Sequence, residues 1–270
     1  MSPFFFDPTR LKALSDENRD RYREAKPFPH IVFDDFLPED VLNQVLEQFP
    51  SPDGIDWYNR HISQQPNKLE SRHETQFSPA IRHLLYQFNT GTFISFLEDL
   101  TGISGIVPDP HFFGGGLHSI KRGGLLKVHA DFTWYEKLRL DRRLNLLVFL
   151  NKDWPEEYGG HFELWDEKMT SCQKKVLPLF NRCVIFSTSI NSYHGHPDPL
   201  NCPEERTRKS LALYYYTNGR EGEDQPVHTT ATLWQDRPGK LDRKPMTLKK
   251  VIRKITPPIL YDIKNKIFGP

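Results

Sequence analysis

Cysteine is scarce in this chain, long apolar runs are absent, and the charges nearly cancel. Cys172, Cys183 and Cys202 are an odd number with no CxxC spacing, which argues against a disulfide framework or a zinc ribbon. A reducing, cytoplasmic setting is the expectation. No stretch reaches the roughly 18 apolar residues needed to span a bilayer. The opening residues MSPFFFDPTR place no charged segment ahead of an apolar run, which reads against a secretory signal. With a net charge of +1 there is no global field to attract nucleic acid. No internal repeat or low-complexity segment is visible.

Proline, glycine and aromatic residues are plentiful. The 22 Pro and 16 Gly among 270 residues favour strands and loops over a helical bundle, and the 13% aromatic content is ample for a core. Residues 1–26 are polar and read as an arm or a loosely held helix. Residues 27–230 read as one domain. Lys26-Pro-Phe-Pro-His-Ile-Val-Phe looks like its first strand. Val41, Leu42, Val45, Leu46 and Phe49 then recur at helical spacing until Pro50. Residues 51–77 lack periodicity and read as a long loop or lid. Two further supporting helices follow, one capped by Ser78-Pro79 and one ending at Gly102. From His111 the period changes to two. Strands are expected at 117–121, 125–132, 143–151, 161–165, 182–187 and 210–217. Strands in series without intervening helices imply a mainly β, α+β fold: an antiparallel barrel or jelly roll flanked by N-terminal helices.

The chemistry concentrates in His129-Ala130-Asp131, with His194 following 65 residues later and Arg208-Lys209-Ser210 beyond it. Two residues apart on a strand, His129 and Asp131 share a face. Two imidazoles and one carboxylate leave three adjacent metal positions open, a set that suits non-haem Fe(II). The guanidinium of Arg208 is a fixed-charge fork suited to the far carboxylate of a dicarboxylic co-substrate such as 2-oxoglutarate. Two other His-x-acid pairs compete. His196-Pro-Asp198 is flanked by prolines and reads as a turn, and His161-Phe-Glu163 follows Gly160 without an obvious partner. The distal ligand has two candidates. His194 is preferred over His196 because Gly195 lets the backbone turn away behind it, whereas His196 precedes a proline. His196 and His161 then become substrate-facing candidates. Trp134 joins them beside the metal seat, and Trp57 and Tyr58 on the loop 51–77.

HADF, RRLNLLVFLNKDWPEEYGGHFELW, LPLFNRCVIFSTSINSYHGHPDPL and RTRKSLALYYYT together resemble the prolyl 4-hydroxylase-like branch of the Fe(II)/2-oxoglutarate dioxygenases, in its bacterial form. The resemblance extends over about residues 27–218. It implies a double-stranded β-helix with iron on His129, Asp131 and His194. It also implies that Arg208 pairs with the distal carboxylate of 2-oxoglutarate and that Ser210 assists by a hydrogen bond. The resemblance further implies dioxygen as the second co-substrate, ascorbate as the reductant, and succinate and CO2 as the by-products. Phe149 stands in the strand where some members place a tyrosine, so Asn145 is the expected second polar contact to the co-substrate.

The substrate class stays open between a peptidyl prolyl group, a free amino acid and a glycan or lipid-linked intermediate. A different class of function would be a sugar-binding or zinc-dependent cupin-like jelly roll, which needs no dicarboxylate clamp. Residues 231–270 read as a basic tail. Within it, 247–268 interleaves lysine and arginine with isoleucine and leucine. That pattern fits peripheral contact with the inner, anionic face of a membrane, or a docked helix with solvated lysines.

Overall fold

The computed structural model describes residues 4–220 and 227–240. The chain divides into two units, Met1–Gln235 and Asp236–Pro270. The fold and the candidate site lie in the first. The basic segment 247–268 is outside the described residues. Among the described residues no helix is long and apolar enough to cross a membrane.

Four helices precede the sheets: α1 (Pro8–Arg23), α2 (Glu39–Glu47), α3 (Pro79–Gln87) and α4 (Gly91–Thr101). The first departs from the expected polar arm. Helix α1 packs on α4. Phe6 ahead of it meets Phe88 and Phe93 at 5.1 and 4.7 Å. Buried Tyr22 shares a 2.8 Å hydrogen bond with Ser187. The helix reads as polar because Leu11 and Tyr22 are its only buried apolar residues, and the rest of its surface is charged. Helix α2 places Glu39 and Asp40 in its first turn, favourable against the helix dipole. Helix α3 starts where expected, with Ser78 Oγ accepting from the Ile81 amide.

The strands are β1 (His30–Phe33), β2 (Lys68–Glu70), β3 (Val107–Pro108), β4 (Gly116–Ile120), β5 (Leu126–Ala130), β6 (Trp134–Tyr135) and β7 (Leu140–Phe149). They continue as β8 (Phe162–Trp165), β9 (Cys172–Val176), β10 (Cys183–Ser187), β11 (His194–His196), β12 (Arg208–Thr217) and β13 (Leu233–Trp234). The larger sheet runs β1-β10-β7-β12-β4-β2, with β3 on β12 and β6 on β7, and the smaller runs β13-β5-β11-β8-β9. Every pairing is antiparallel, as the alternation predicts.

Alternation assigns each strand two faces. Leu146, Val148, Ile185, Leu211 and Leu213 join Leu42, Leu84, Phe93 and Leu97 of the helices in one buried cluster. Phe149, Val184 and Phe186 on the opposite face pack on Phe162, Leu164 and Val176 of the smaller sheet. Each such side chain contributes about 1.5–3 kcal/mol by leaving water. The jelly-roll expectation is therefore met, with helices covering one sheet and the site between the two.

Two segments differ from expectation. The loop 51–77 is stitched into the larger sheet by β2, whose Lys68 and Glu70 oppose Ile120 and His118 of β4. Three residues are too few to show a period. Residues 233–234, assigned by composition to a tail, pair with Ala130 and His129 of β5.

Candidate metal centre

Strands β5 and β11 bring two histidines together by register: His194 is the direct cross-strand partner of His129. Their ring centroids are 4.5 Å apart. Asp131 follows β5 by one residue. The donor atoms of His129, Asp131 and His194 all lie within 4.8 Å of one another, the only such cluster of three among the described residues. Nδ1 of each histidine sits 2.8 Å from the carbonyl two residues earlier, Lys127 O and Ser192 O. Only an N–H can pair with a carbonyl, so each Nε2 is left as a lone pair aimed at the centre. Burial, with the His129 ring beside it, pushes His194 down to about 3 and keeps it neutral. Gly195 is required between the two strand histidines, since a Cβ there would lie 2.7 Å from Leu126 O.

The carboxylate of Asp131 is divided between two tasks. Oδ2 accepts from Arg142 Nη2 at 3.0 Å and from Asn145 Nδ2 at 2.7 Å. Oδ1 is turned toward His129 Nε2, 3.6 Å away. Burial would raise the pKa, but the Arg142 guanidinium and the two histidines hold Asp131 well below the usual carboxylate range. Arg142 is itself clamped between the rings of Tyr214 and Phe132, at 3.6 and 4.6 Å, and donates to Asn145 Oδ1. Asn145 thus links Arg142 to Asp131, its Oδ1 accepting from the one and its Nδ2 donating to the other, while its side chain also lines the cavity of the triad.

Arg208 opens β12 with its guanidinium over the Phe149 ring at 4.8 Å. Nε donates to Gly160 O at 2.8 Å. No carboxylate pairs with it among the described residues, and burial pushes this cation down to about 9. The turn at Gly160 has φ 75°, and a Cβ there would lie 2.9 Å from Arg208 Cδ, so only glycine lets the carbonyl approach. Ser210, two residues on, shares the inward face and is buried. Register places Lys68, Ile120 and Arg208 in one row across β2, β4 and β12.

A cavity of about 380 Å³ joins the triad to Arg208 and Ser210, with His196, Lys68 and Trp234 also on its walls. His196 lies on β11 rather than in a turn, and neither of its buried ring nitrogens has a partner. A second cavity of about 690 Å³ shares Arg60, Glu70, Phe113, Gly114, Phe132 and Thr230 with the first. It forms the outer part of the same recess. Trp134 and Tyr58 line this outer part. Two other candidates are placed elsewhere. His161 bonds Glu156 at the surface. Trp57 is buried against Phe49 and donates to Ser51 O.

Three contributors were not visible in the sequence. Arg142 escaped because Arg143 is an extra residue between the Leu144–Tyr215 and Arg142–Tyr216 pairs. This bulge shifts the alternation, so that Arg142 points inward with Asn145. Glu70 sits on a strand too short to recognise. Trp234, with its ring 4.9 Å from that of His129, belongs to a strand of two residues.

Residues 115–216, from β4 to within one residue of the end of β12, match the family model of the 2OG-Fe(II) oxygenase superfamily. They contain the whole triad and Arg208. Among solved structures, the chain is similar to a prolyl hydroxylase from Trichoplax adhaerens in complex with a hypoxia inducible factor oxygen degradation domain peptide fragment. Identity is 15% over 77% of this chain and 91% of that one, with a TM-score of 0.54. It is also similar to a Pseudomonas putida prolyl-4-hydroxylase, at 15% identity over 77% of this chain and 100% of that one, with a TM-score of 0.51. At such identity the likeness is one of fold, the double-stranded β-helix. No curated protein matches the chain. Residues 115–216 thus match the 2OG-Fe(II) oxygenase superfamily, and the fold is like that of prolyl hydroxylases.

Proposed function

We propose that this chain is an Fe(II)- and 2-oxoglutarate-dependent dioxygenase that hydroxylates a small-molecule or peptidyl substrate and releases succinate and CO2. Arg208 carries the reading: it is a buried cation with no carboxylate paired to it among the described residues, and it shares a cavity with three convergent metal donors. A neutral ligand would leave that charge uncompensated, and the distal carboxylate of 2-oxoglutarate neutralises it. Iron held by His129, Asp131 and His194 would supply the activation of dioxygen, coupled to oxidative decarboxylation of the co-substrate. The donor set fits it: two neutral imidazoles and one carboxylate oxygen not used by Arg142 or Asn145.

The protein's own part is orientation. Arg142 and Asn145 hold Asp131 in a single rotamer. Arg208, with Ser210 beside it, fixes one end of the co-substrate. Phe162 and Phe186 line the same cavity and exclude water around His194, at ring distances of 5.6 and 4.7 Å. The peptide bound by the Trichoplax relative makes a peptidyl substrate one of the two classes to test. The decisive experiment loads the protein with Fe(II) and ascorbate and measures succinate formed from 2-oxoglutarate. Tight zinc binding with neither 2-oxoglutarate binding nor succinate would replace this reading by a cupin-like one.

Two variants probe the surroundings of the metal. Asn145→Ala should weaken metal binding by about 10–100-fold while the melting temperature changes little. Unchanged metal affinity would remove Asn145 from the support of Asp131. His196→Ala should retain one Fe(II) per chain. Iron lost from that variant but kept by His194→Ala would reverse the ligand assignment.

A further inference from the structure

The fixed charges facing the recess are unbalanced. Arg60, Lys68, Arg72, Lys137, Arg142 and Arg208 line its two parts against only three carboxylates, Glu70, Asp131 and Glu136. The chain as a whole has 36 basic and 35 acidic residues. An excess of three in one recess is therefore local. Fe(II) and the two carboxylates of 2-oxoglutarate cancel each other, so loading the site as proposed leaves this excess in place.

Part of the excess lies toward the mouth, where Arg60, Arg72 and Lys137 line the outer recess with Glu70 and Glu136. Glu70, at the junction of the two parts, has Lys68 at 2.6 Å and Arg60 at 3.6 Å, two cations on one anion. Burial would raise its pKa, but those cations hold it down at about 2, so the junction carries a net positive charge. The Arg60 and Arg72 guanidiniums both lie on the Tyr58 ring, at 5.6 and 5.2 Å, and Arg72 also pairs with Asp56 at 3.1 Å, an exposed and solvent-screened partner that a substrate anion can replace. Part of the wall is aromatic. Phe113 is half exposed and stacks on Tyr135 at 4.9 Å with Phe132 at its edge, and Trp134 continues that wall. A recess of about 690 Å³ is sized for a small molecule.

We propose that the hydroxylated substrate is a small organic oxyanion, a carboxylate or phosphate ester with a ring or apolar body. Arg60 and Arg72 hold its acid group at the rim, and its body lies along Phe113, Phe132 and Trp134 with the target carbon toward the His129–Asp131–His194 cluster. Opposite charge across a partly desolvated mouth raises both encounter rate and selectivity. This inference rests on the oxygenase reading for the direction of the substrate, though not for its charge.

Calorimetric titration of the full chain with phenyl phosphate, phenylacetate and uncharged 2-phenylethanol tests it. Each titration is run with and without Mn(II) plus 2-oxoglutarate, so that Arg208 is occupied in one arm. At least one anion should bind about tenfold tighter than the alcohol. The tighter of the two identifies phosphoryl or carboxylate chemistry. Added salt should erode the difference. The Arg60→Ala/Arg72→Ala double variant should lose most of the preference with 2-oxoglutarate binding unchanged. Both arginines are partly exposed, and a matched melting temperature verifies folding. Equal affinity for alcohol and anions, or a preference that survives the double variant, overturns the proposal. Failure of 2-oxoglutarate to bind the unaltered chain would instead count against the oxygenase reading alone.

Discussion

Asp131→Ala is expected to abolish succinate formation and to lower metal affinity by more than the roughly 10–100-fold seen for a supporting residue. The variant removes the only anionic donor of the cluster. It also leaves Arg142, 1% exposed, without its carboxylate, a defect worth about 3–5 kcal/mol of stability. Asp131→Asn separates the two effects. It keeps an oxygen for Arg142 and Asn145 and loses the charge, so it should fold better than the alanine variant and still fail to turn over. Trp234 offers a readout independent of turnover. Its ring lies 4.9 Å from that of His129, so Co(II) at the centre should quench part of the intrinsic fluorescence. Quenching at wild-type Co(II) concentrations in Asp131→Asn would show that the carboxylate is not a ligand.

The second large effect is expected at Arg208. Arg208→Ala leaves the distal carboxylate of 2-oxoglutarate buried and unpaired, at a cost of about 3–5 kcal/mol. The Michaelis constant for 2-oxoglutarate should rise roughly a hundred to a few thousand fold. Arg208→Lys should recover only part of this, because lysine lacks the fork and cannot also reach the Gly160 carbonyl as the Nε–H does. In the free protein burial has pushed this arginine down to about 9, so the folded state disfavours its charge, which offsets part of the stability the alanine variant loses with the Gly160 bond and the Phe149 contact. Thermal stabilisation by 2-oxoglutarate, about 2.7 kcal/mol at a hundredfold excess over Kd, should be lost. Lys209 is the internal control. It lies on the other face of β12, 6.0 Å from the Phe49 ring, and its replacement should leave the constant near wild type. A wild-type constant in Arg208→Ala would end the case for the clamp.

Sequence alone revealed what is local and periodic. His129 and Asp131 are two residues apart at the end of β5, and Arg208 and Ser210 two apart on β12, so their shared faces follow from the pleat. The supporting helices were legible for the same reason. Arg142 was not, because the bulge at Arg143 is a property of how β7 meets β12. Strand β11 was missed because it is three residues long and ends just before Pro197. Strand β9 pairs only with β8 at the margin of its sheet, and its alternating exposure leaves mainly Val176 buried. Asn145 was legible as an inward polar residue, but its bond to Asp131, 14 residues away across a turn, was not. The helix α1 was underestimated because two buried side chains suffice to dock it.

The cross-strand pairing of His129 with His194 has a consequence for biosynthesis. In a zinc finger the ligands are close in the chain and the metal itself drives folding. Here 65 residues separate the two histidines, and the strands β7, β8 and β10 must be made between them. At ~5–20 residues per second, a ribosome needs roughly 3 to 13 s to travel that distance. Throughout that time the emerging chain displays only two of the three clustered donors. A metal at this centre would therefore join a sandwich already assembled rather than seed it.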